Sequence, residues 1–289
     1  MTHYTEPLRL LVVVAHPHDI THMAGTCAHH VQRGDSVSVV AVTGGTTMHN
    51  EPLLDELRKP PEQRDPAILA QTSESYTADK AHEMTKACAL FGISDVRTLP
   101  FEDLPLKISD ELVEVLAEVI YDVRPHVLLT HAPYSRWPGA AATWLNDHTN
   151  AGIAVYRAQE RCAKADMQGK RAPHNVATTY FMGVEFAYYD IHVSVDISDQ
   201  MDNRIEAEKM FETQGHTEEF AQKRLEIGAG QFGWHAKVAY AEPFVRAQQQ
   251  VQTHLTVTEH DVRTSLEPTS ERRARVLEGF MDRGERPGS

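Results

Sequence analysis

An open α/β sheet, mostly parallel and with helices on both faces, is the fold class that the sequence predicts. Three observations carry it. Leu8 to Val14 is a continuous apolar run without polar alternation, the pattern of a strand buried on both faces. It is followed by helical periodicity and a second apolar run, a strand–helix–strand unit whose two strands must be parallel. At 289 residues the chain is long enough for one large α/β domain and short for two.

Hydrophobic residues make up 41% of the chain and charged residues 24%, a globular composition rather than a disordered one. The net charge of −13 argues against nucleic acid as a partner, because phosphate binding needs clustered Lys and Arg. No apolar run approaches the roughly 18 to 20 residues of a membrane span, and Met1 to Pro7 lacks the layout of a signal peptide. A cytoplasmic protein is expected. Cys27, Cys88 and Cys162 are widely spaced, odd in number and set in helical patterns, which reads as reduced core thiols rather than disulfides.

After the first strand, Met23, Cys27 and Val31 recur at helical spacing over Ile20 to Gln32, and Gly34-Asp35 ends the helix. Ser36 to Val42 is the second strand. Asn50 to Ile68, rich in Pro, Glu, Asp and Arg, reads as a long surface loop or lid. Ser73 to Phe91 is a helix stopped by Gly92, Val96 to Phe101 a third strand, and Ile108 to Asp122 an amphipathic helix. Pro125 precedes the fourth strand, Val127 to Thr130. The helix of Thr149 to Ala163 comes next, and Thr178 to Val184 with Val193 to Ile197 read as a hairpin or sheet extension. Helices are expected over Asp199 to Phe211 and Thr217 to Ile227, and an extended segment over Tyr240 to Phe244. The division is a domain over 1–245 and a polar extension over 246–289, the latter suited either to an oligomer arm, which would make a homo-oligomer, or to a packed flap.

The chemistry concentrates where the first strand stops, at His16-Pro17-His18-Asp19. In open α/β sheets ligands bind at the carboxyl ends of the strands. His16 and Asp19, on a turn stiffened by Pro17, can converge on one cation such as Zn²⁺. Equally, His16 can cap the strand and Asp19 the following helix. Thr43-Gly44-Gly45-Thr46 reaches the same edge, as a substrate approach or as a plain turn. His131 to Gly139 forms a polar and aromatic loop at that edge. Asn146-Asp147-His148 then opens a helix, either as a cap or as a metal ligand oriented by a carboxylate.

Ala15-His16-Pro17-His18-Asp19 resembles the Ala-His-Pro-Asp-Asp motif of the LmbE/PIG-L family of zinc-dependent deacetylases, and Leu145-Asn146-Asp147-His148 resembles its His-x-Asp-His. Thr213-Gln214 stands for the family's late Ser-Gln, and Tyr240 to Phe244 matches its Tyr-Ala-Glu-x-Phe. The likeness runs from about Leu8 to Val245, in the family's order. It implies a Rossmann-like α/β fold and one Zn²⁺ held by His16, Asp19 and His148, with positions open for water and substrate. Fe²⁺, Mn²⁺ or Ni²⁺ also suit two histidines and a carboxylate. It further implies hydrolysis of an amide C–N bond, with Asp147 in the catalytic motif. Asp103 is placed where the family has a residue touching a sugar hydroxyl, and Lys80 near a substrate-contacting arginine.

Two departures accompany the likeness. His18 stands where the family has the aspartate thought to act as general base, and Leu145 where it has a histidine that stabilises the tetrahedral intermediate. A neutral imidazole can still accept a proton, so His18 can serve as base. His131, Arg136 or His216 would then supply the missing electrophilic help. A second reading is a zinc-dependent hydratase of an unsaturated keto-acid, similar to the family's 4-oxalomesaconate hydratase, with Arg136 and Lys80 as partners for substrate carboxylates. A third is a family member without catalysis. Cations clustered at the metal would favour the hydratase.

Overall fold

The computed structural model describes residues 4–134, 146–166 and 169–284. Strand β1 (Arg9–Val14) leads through a 3-10 turn (Pro17–His22) into α1 (Ala24–Gln32) and then β2 (Ser36–Thr43). Helices α2 (Glu51–Arg58), α3 (Pro66–Leu69) and α4 (Ser73–Ala89) precede β3 (Asp95–Phe101), followed by α5 (Asp110–Val123), β4 (Val127–Thr130) and α6 (Asp147–Cys162). The remainder comprises β5 (Thr178–Met182), β6 (Val193–Asp196), α7 (Met201–Lys209), α8 (Glu218–Ala236), β7 (Ala241–Arg246), α9 (Glu259–Leu266) and α10 (Thr269–Gly284).

The seven strands lie in the order β3-β2-β1-β4-β5-β7-β6. The first five are parallel, and β7 is antiparallel to both its neighbours. The chain direction switches between β1 and β4, the crevice where open α/β sheets take ligands. Residues of β1 alternate between the two layers of core. Leu10, Val12 and Val14 pack with α1 and α4 residues, whereas Leu11, Val13 and Ala15 pack with α5 and α6 residues. The run therefore lacks polar alternation because both faces are covered.

Several expectations change. Asn50 to Ile68 is largely helical rather than a loop: Asn50 Oδ1 caps α2 by accepting from Leu53 N, and Pro52 occupies its first turn, where a missing N–H costs nothing. Of the two alternatives for β5 and β6, the structure shows a sheet extension and not a hairpin, because β7 lies between them and bonds to both. Helix α8 runs nine residues past Ile227, through Gly228, Gly230 and Gly233. Gly233 suits this path, since a Cβ there would stand 2.4 Å from the Ala239 carbonyl oxygen. In the 246–289 segment, α9 and α10 dock on the end of α8, where His260 Nε2 and Arg275 Nη1 bond to the carbonyls of Ala236 and Lys237 at 2.9 and 2.8 Å. All three cysteines are buried and free. Among the described residues no helix is long and apolar enough to cross a membrane.

Candidate metal centre

The turn after β1 is built by its own side chains. Asp19 N donates to the His16 carbonyl at 3.1 Å, and His16 N donates back to Asp19 Oδ2 at 2.8 Å. This reciprocal pair folds residues 16–19 so tightly that the imidazole and carboxylate share one side. Helix α6 brings the third group. Gly152, one turn beyond His148, lies so close to β4's end that a Cβ would sit 2.6 Å from the His131 carbonyl oxygen. That approach stacks His148 on His131, with ring centroids 4.2 Å apart and planes 15° from parallel.

His16, Asp19 and His148 thus meet at one point. His16 Nδ1 lies 3.4 Å from Asp19 Oδ2, and His148 Nε2 lies 3.6 Å from Asp19 Oδ1. With bonds of about 2.1 Å, neighbouring donors stand about 3.4 Å apart around a tetrahedral ion. His16 Nδ1 is moreover buried with no hydrogen-bond partner among the described residues, so the donor set fits a divalent metal. The opposite nitrogen of each imidazole is held by a carboxylate: His16 Nε2 is 3.2 Å from Asp147 Oδ2, and His148 Nδ1 is 2.9 Å from Glu185 Oε1. Carboxylate-backed imidazoles are the usual outer layer of metal sites.

Electrostatics favour a cation here. Burial alone would raise the pKa of Asp19, but His148, His131 and His16 hold it well below the ordinary carboxylate range. Burial is likewise overcome at Asp147, which the His16 hydrogen bond and the N–H groups of Leu106 and Leu104 draw down to about 2. Glu185 also falls to about 2, against burial, because His131 and His148 face it. Burial disfavours a charged His148, yet Asp19 and Glu185 outweigh it and raise its pKa. Three ionised carboxylates thus face His16 and His148, and a dication bound there would take the place of the protons those imidazoles attract.

The other expected residues divide. His18 lines the same cleft, of about 350 Å³, together with His22, His49, Gln214 and Arg224. His216 stands behind it, its ring 4.9 Å from that of His18. Asp147 belongs to the layer that orients His16. Three expected substrate contacts are engaged by other groups of the chain. Asp103 is buried, and its carboxylate is occupied by Thr46 Oγ1 and the N–H groups of Thr47 and Met48, so it shapes the 46–48 turn. Lys80 is fully buried and donates to Gln214 Oε1 at 2.5 Å; burial lowers its pKa to about 8. His131 is fully buried between Glu185, 2.9 Å from Nδ1, and the N–H of Ala15, 3.0 Å from Nε2. Arg136 and Leu145 lie outside the described residues.

Sequence reasoning missed Glu185, Glu208, Arg224, His22 and His49. The nearness of His22 to His18 in the sequence was the available signal, both lying on one 3-10 turn with ring centroids 6.0 Å apart. An adjoining, mostly apolar cavity of about 500 Å³ shares His22 and Arg224 with the cleft.

A doubly covered parallel sheet whose carboxyl edge gathers carboxylate-backed imidazoles defines an α/β protein with a candidate divalent-metal centre. Residues 11–159, just over half of the chain, match the PIG-L family model, described as GlcNAc-PI de-N-acetylase, and the chain belongs to that family. It is 29% identical over 201 residues to the 1D-myo-inositol 2-acetamido-2-deoxy-alpha-D-glucopyranoside deacetylase 2 of Catenulispora acidiphila, a match covering 61% of this chain and 60% of that protein. It is 26% identical over 208 residues to the probable N-acetyl-alpha-D-glucosaminyl L-malate deacetylase 2 of Bacillus subtilis, covering 71% of this chain and 82% of that one. Among solved structures, the GalB 4-carboxy-2-hydroxymuconate hydratase of Pseudomonas putida shares the fold, with a TM-score of 0.67 at 19% identity over 86% of this chain and 99% of that one.

Proposed function

We propose that this chain is a divalent-metal-dependent hydrolase of an amide C–N bond, an N-deacetylase or amidase acting on a small molecule. The observation that carries the reading is the buried, unpartnered Nδ1 of His16, facing Asp19 and His148. The relatives named as deacetylases support the reaction class. A divalent ion held by His16, Asp19 and His148 would lower the pKa of a bound water towards about 7 and polarise an amide carbonyl.

The chain's own residues supply the rest. Asp147 and Glu185 hold the imidazoles of His16 and His148 in orientation. His18 takes the place of the family's acidic base, its Nε2 held 2.8 Å from Glu208 Oε1 and against Arg224 Nη1. The hydratase alternative requires uncommitted cations for substrate carboxylates. Among the described residues lining the cleft, Arg224 is the single guanidinium or ammonium, and it is paired with Glu208. Lys80 is spent on Gln214. The relatives named as deacetylases favour amide hydrolysis.

The test pairs metal content by mass spectrometry with free-amine release from a panel of N-acetyl compounds. The wild type should hold a tightly bound ion and release amine. His148→Ala should lose both, and His18→Ala should keep the ion while losing turnover. Metal without amine release across the panel would refute amide hydrolysis, and a wild type with no metal would refute the whole reading.

A further inference from the structure

We propose that His18, Glu208 and His216 form a second divalent-cation site, beside the His16–Asp19–His148 group and separate from it. The three side chains come from the turn after β1, the last turn of α7 and the loop before α8, and their donor atoms converge. His18 Nε2 lies 2.8 Å from Glu208 Oε1, and His216 Nδ1 lies 3.4 Å from that same oxygen. Donors bound at about 2.1 Å stand about 3.0 Å apart in an octahedron and about 3.4 Å apart in a tetrahedron. Both separations therefore fit edges of one coordination shell.

Glu208 is fully buried, and its Oε2 has no hydrogen-bond partner among the described residues. A buried carboxylate in that state needs a positive charge. Arg224 currently provides one. Its Nη1 rests against both Glu208 Oε1 and His18 Nε2, so a cationic nitrogen already occupies the point on which the donors converge. The Arg224 side chain is 31% exposed, which leaves the guanidinium free to swing towards solvent when a dication takes its place. Phe211 packs edge-on against His18 at 5.2 Å and the Phe220 ring lies 4.8 Å from that of His216, so both imidazoles are held by ring contacts. Two imidazoles and one carboxylate suit Zn²⁺, Fe²⁺ or Mn²⁺.

Because Arg224 competes, the second site should be the weaker of the two. An ion there engages the imidazole to which we assign proton transfer, so surplus cation would oppose turnover. The site itself does not depend on which reaction is catalysed.

The experiment is a Zn²⁺ titration of chelator-stripped full-length protein, read as ions bound per chain by calorimetry and mass spectrometry, with circular dichroism to confirm folding. The wild type should bind two ions of unequal affinity. Glu208→Gln and His216→Ala should each bind one, and His148→Ala should lose the tighter ion while keeping the weaker. Arg224→Gln should tighten the weaker site at least tenfold. A wild type that saturates at one ion, removed by His148→Ala, would overturn the second site while leaving the first intact. A weaker ion that survives in both Glu208→Gln and His216→Ala would overturn it as well. If no ion binds, both sites fail.

Discussion

Asp147→Asn is the most direct perturbation of how the centre is held. The Asp147 carboxylate accepts three hydrogen bonds: Leu106 N at 2.8 Å on Oδ1, and Leu104 N at 2.9 Å and His16 Nε2 at 3.2 Å on Oδ2. An asparagine has the same shape but one acceptor oxygen. Turned to keep His16 and Leu104, it sets its amide N–H groups against the N–H of Leu106. Turned the other way, it loses two donors and frees the His16 ring. The first arrangement costs one charge-assisted bond and leaves a buried N–H unpaired, about 2 to 3 kcal/mol of folding stability. It also replaces the charged partner of the imidazole we propose as a ligand by a neutral one, and such changes typically weaken metal binding 10- to 100-fold. Zn²⁺ affinity by chelator competition and stability by urea unfolding measure the two losses separately. If stability falls while affinity stays within twofold of wild type, Asp147 anchors the 104–106 backbone without orienting His16, and the reasoning fails.

Two further outcomes follow from packing and charge. Lys80 is held at a pKa of about 8 by burial, below its ordinary 10.5, so between those values the unfolded chain binds more protons and stability gained from Lys80 rises with pH, by about 3 kcal/mol in total. Lys80→Met should remove that slope; urea midpoints of wild type and variant at pH 7.5 and pH 10 should converge at the higher pH, and parallel profiles would count against it. Gly152→Ala would drive a Cβ to 2.6 Å from the His131 carbonyl oxygen, a backbone atom that cannot yield. Overpacking of this kind costs about 1 to 3 kcal/mol, less up to about 1 kcal/mol gained in helix propensity. Because α6 must shift, Zn²⁺ affinity should fall together with the melting temperature, and a fall in melting temperature alone would separate the two.

The parts of the molecule legible in the sequence are those whose physics is local. Leu8 to Val14 announces a doubly buried strand by composition, and residues 16–19 fold upon themselves through bonds between neighbours. Position 148 is readable because a helix start fixes where its side chain points. The carboxylates that hold the cleft's imidazoles are not readable this way. Glu208 lies in a charged stretch, Ile205 to Lys209, that resembles a solvated helix face, and only the packing of α7 against the turn after β1 shows it fully buried. Glu185 sits in a short 3-10 turn with no periodicity, and reaches His148 only because β5 is placed beside β4. Prolines and glycines misled in two places, since Pro52 begins a helix and Gly228 to Gly233 continue one. Where β7 inserts is decided by pairing across the whole sheet, which no window of residues records.

Glu242 on β7 accepts the N–H groups of Gly25 and Thr26 at 3.0 and 2.7 Å, at the start of α1, and pairs with Arg204 at 2.5 Å. The helix that follows the His16 turn is thus seated by a side chain more than two hundred positions later. In synthesis from the amino end, the turn emerges first and is secured last. A chain interrupted before β7 would carry His16, Asp19 and His148 yet lack the carboxylate that seats the helix behind them. The centre is, in that sense, a clasp closed by the far end of the polypeptide, and its metal affinity would report whether the whole sheet has been completed.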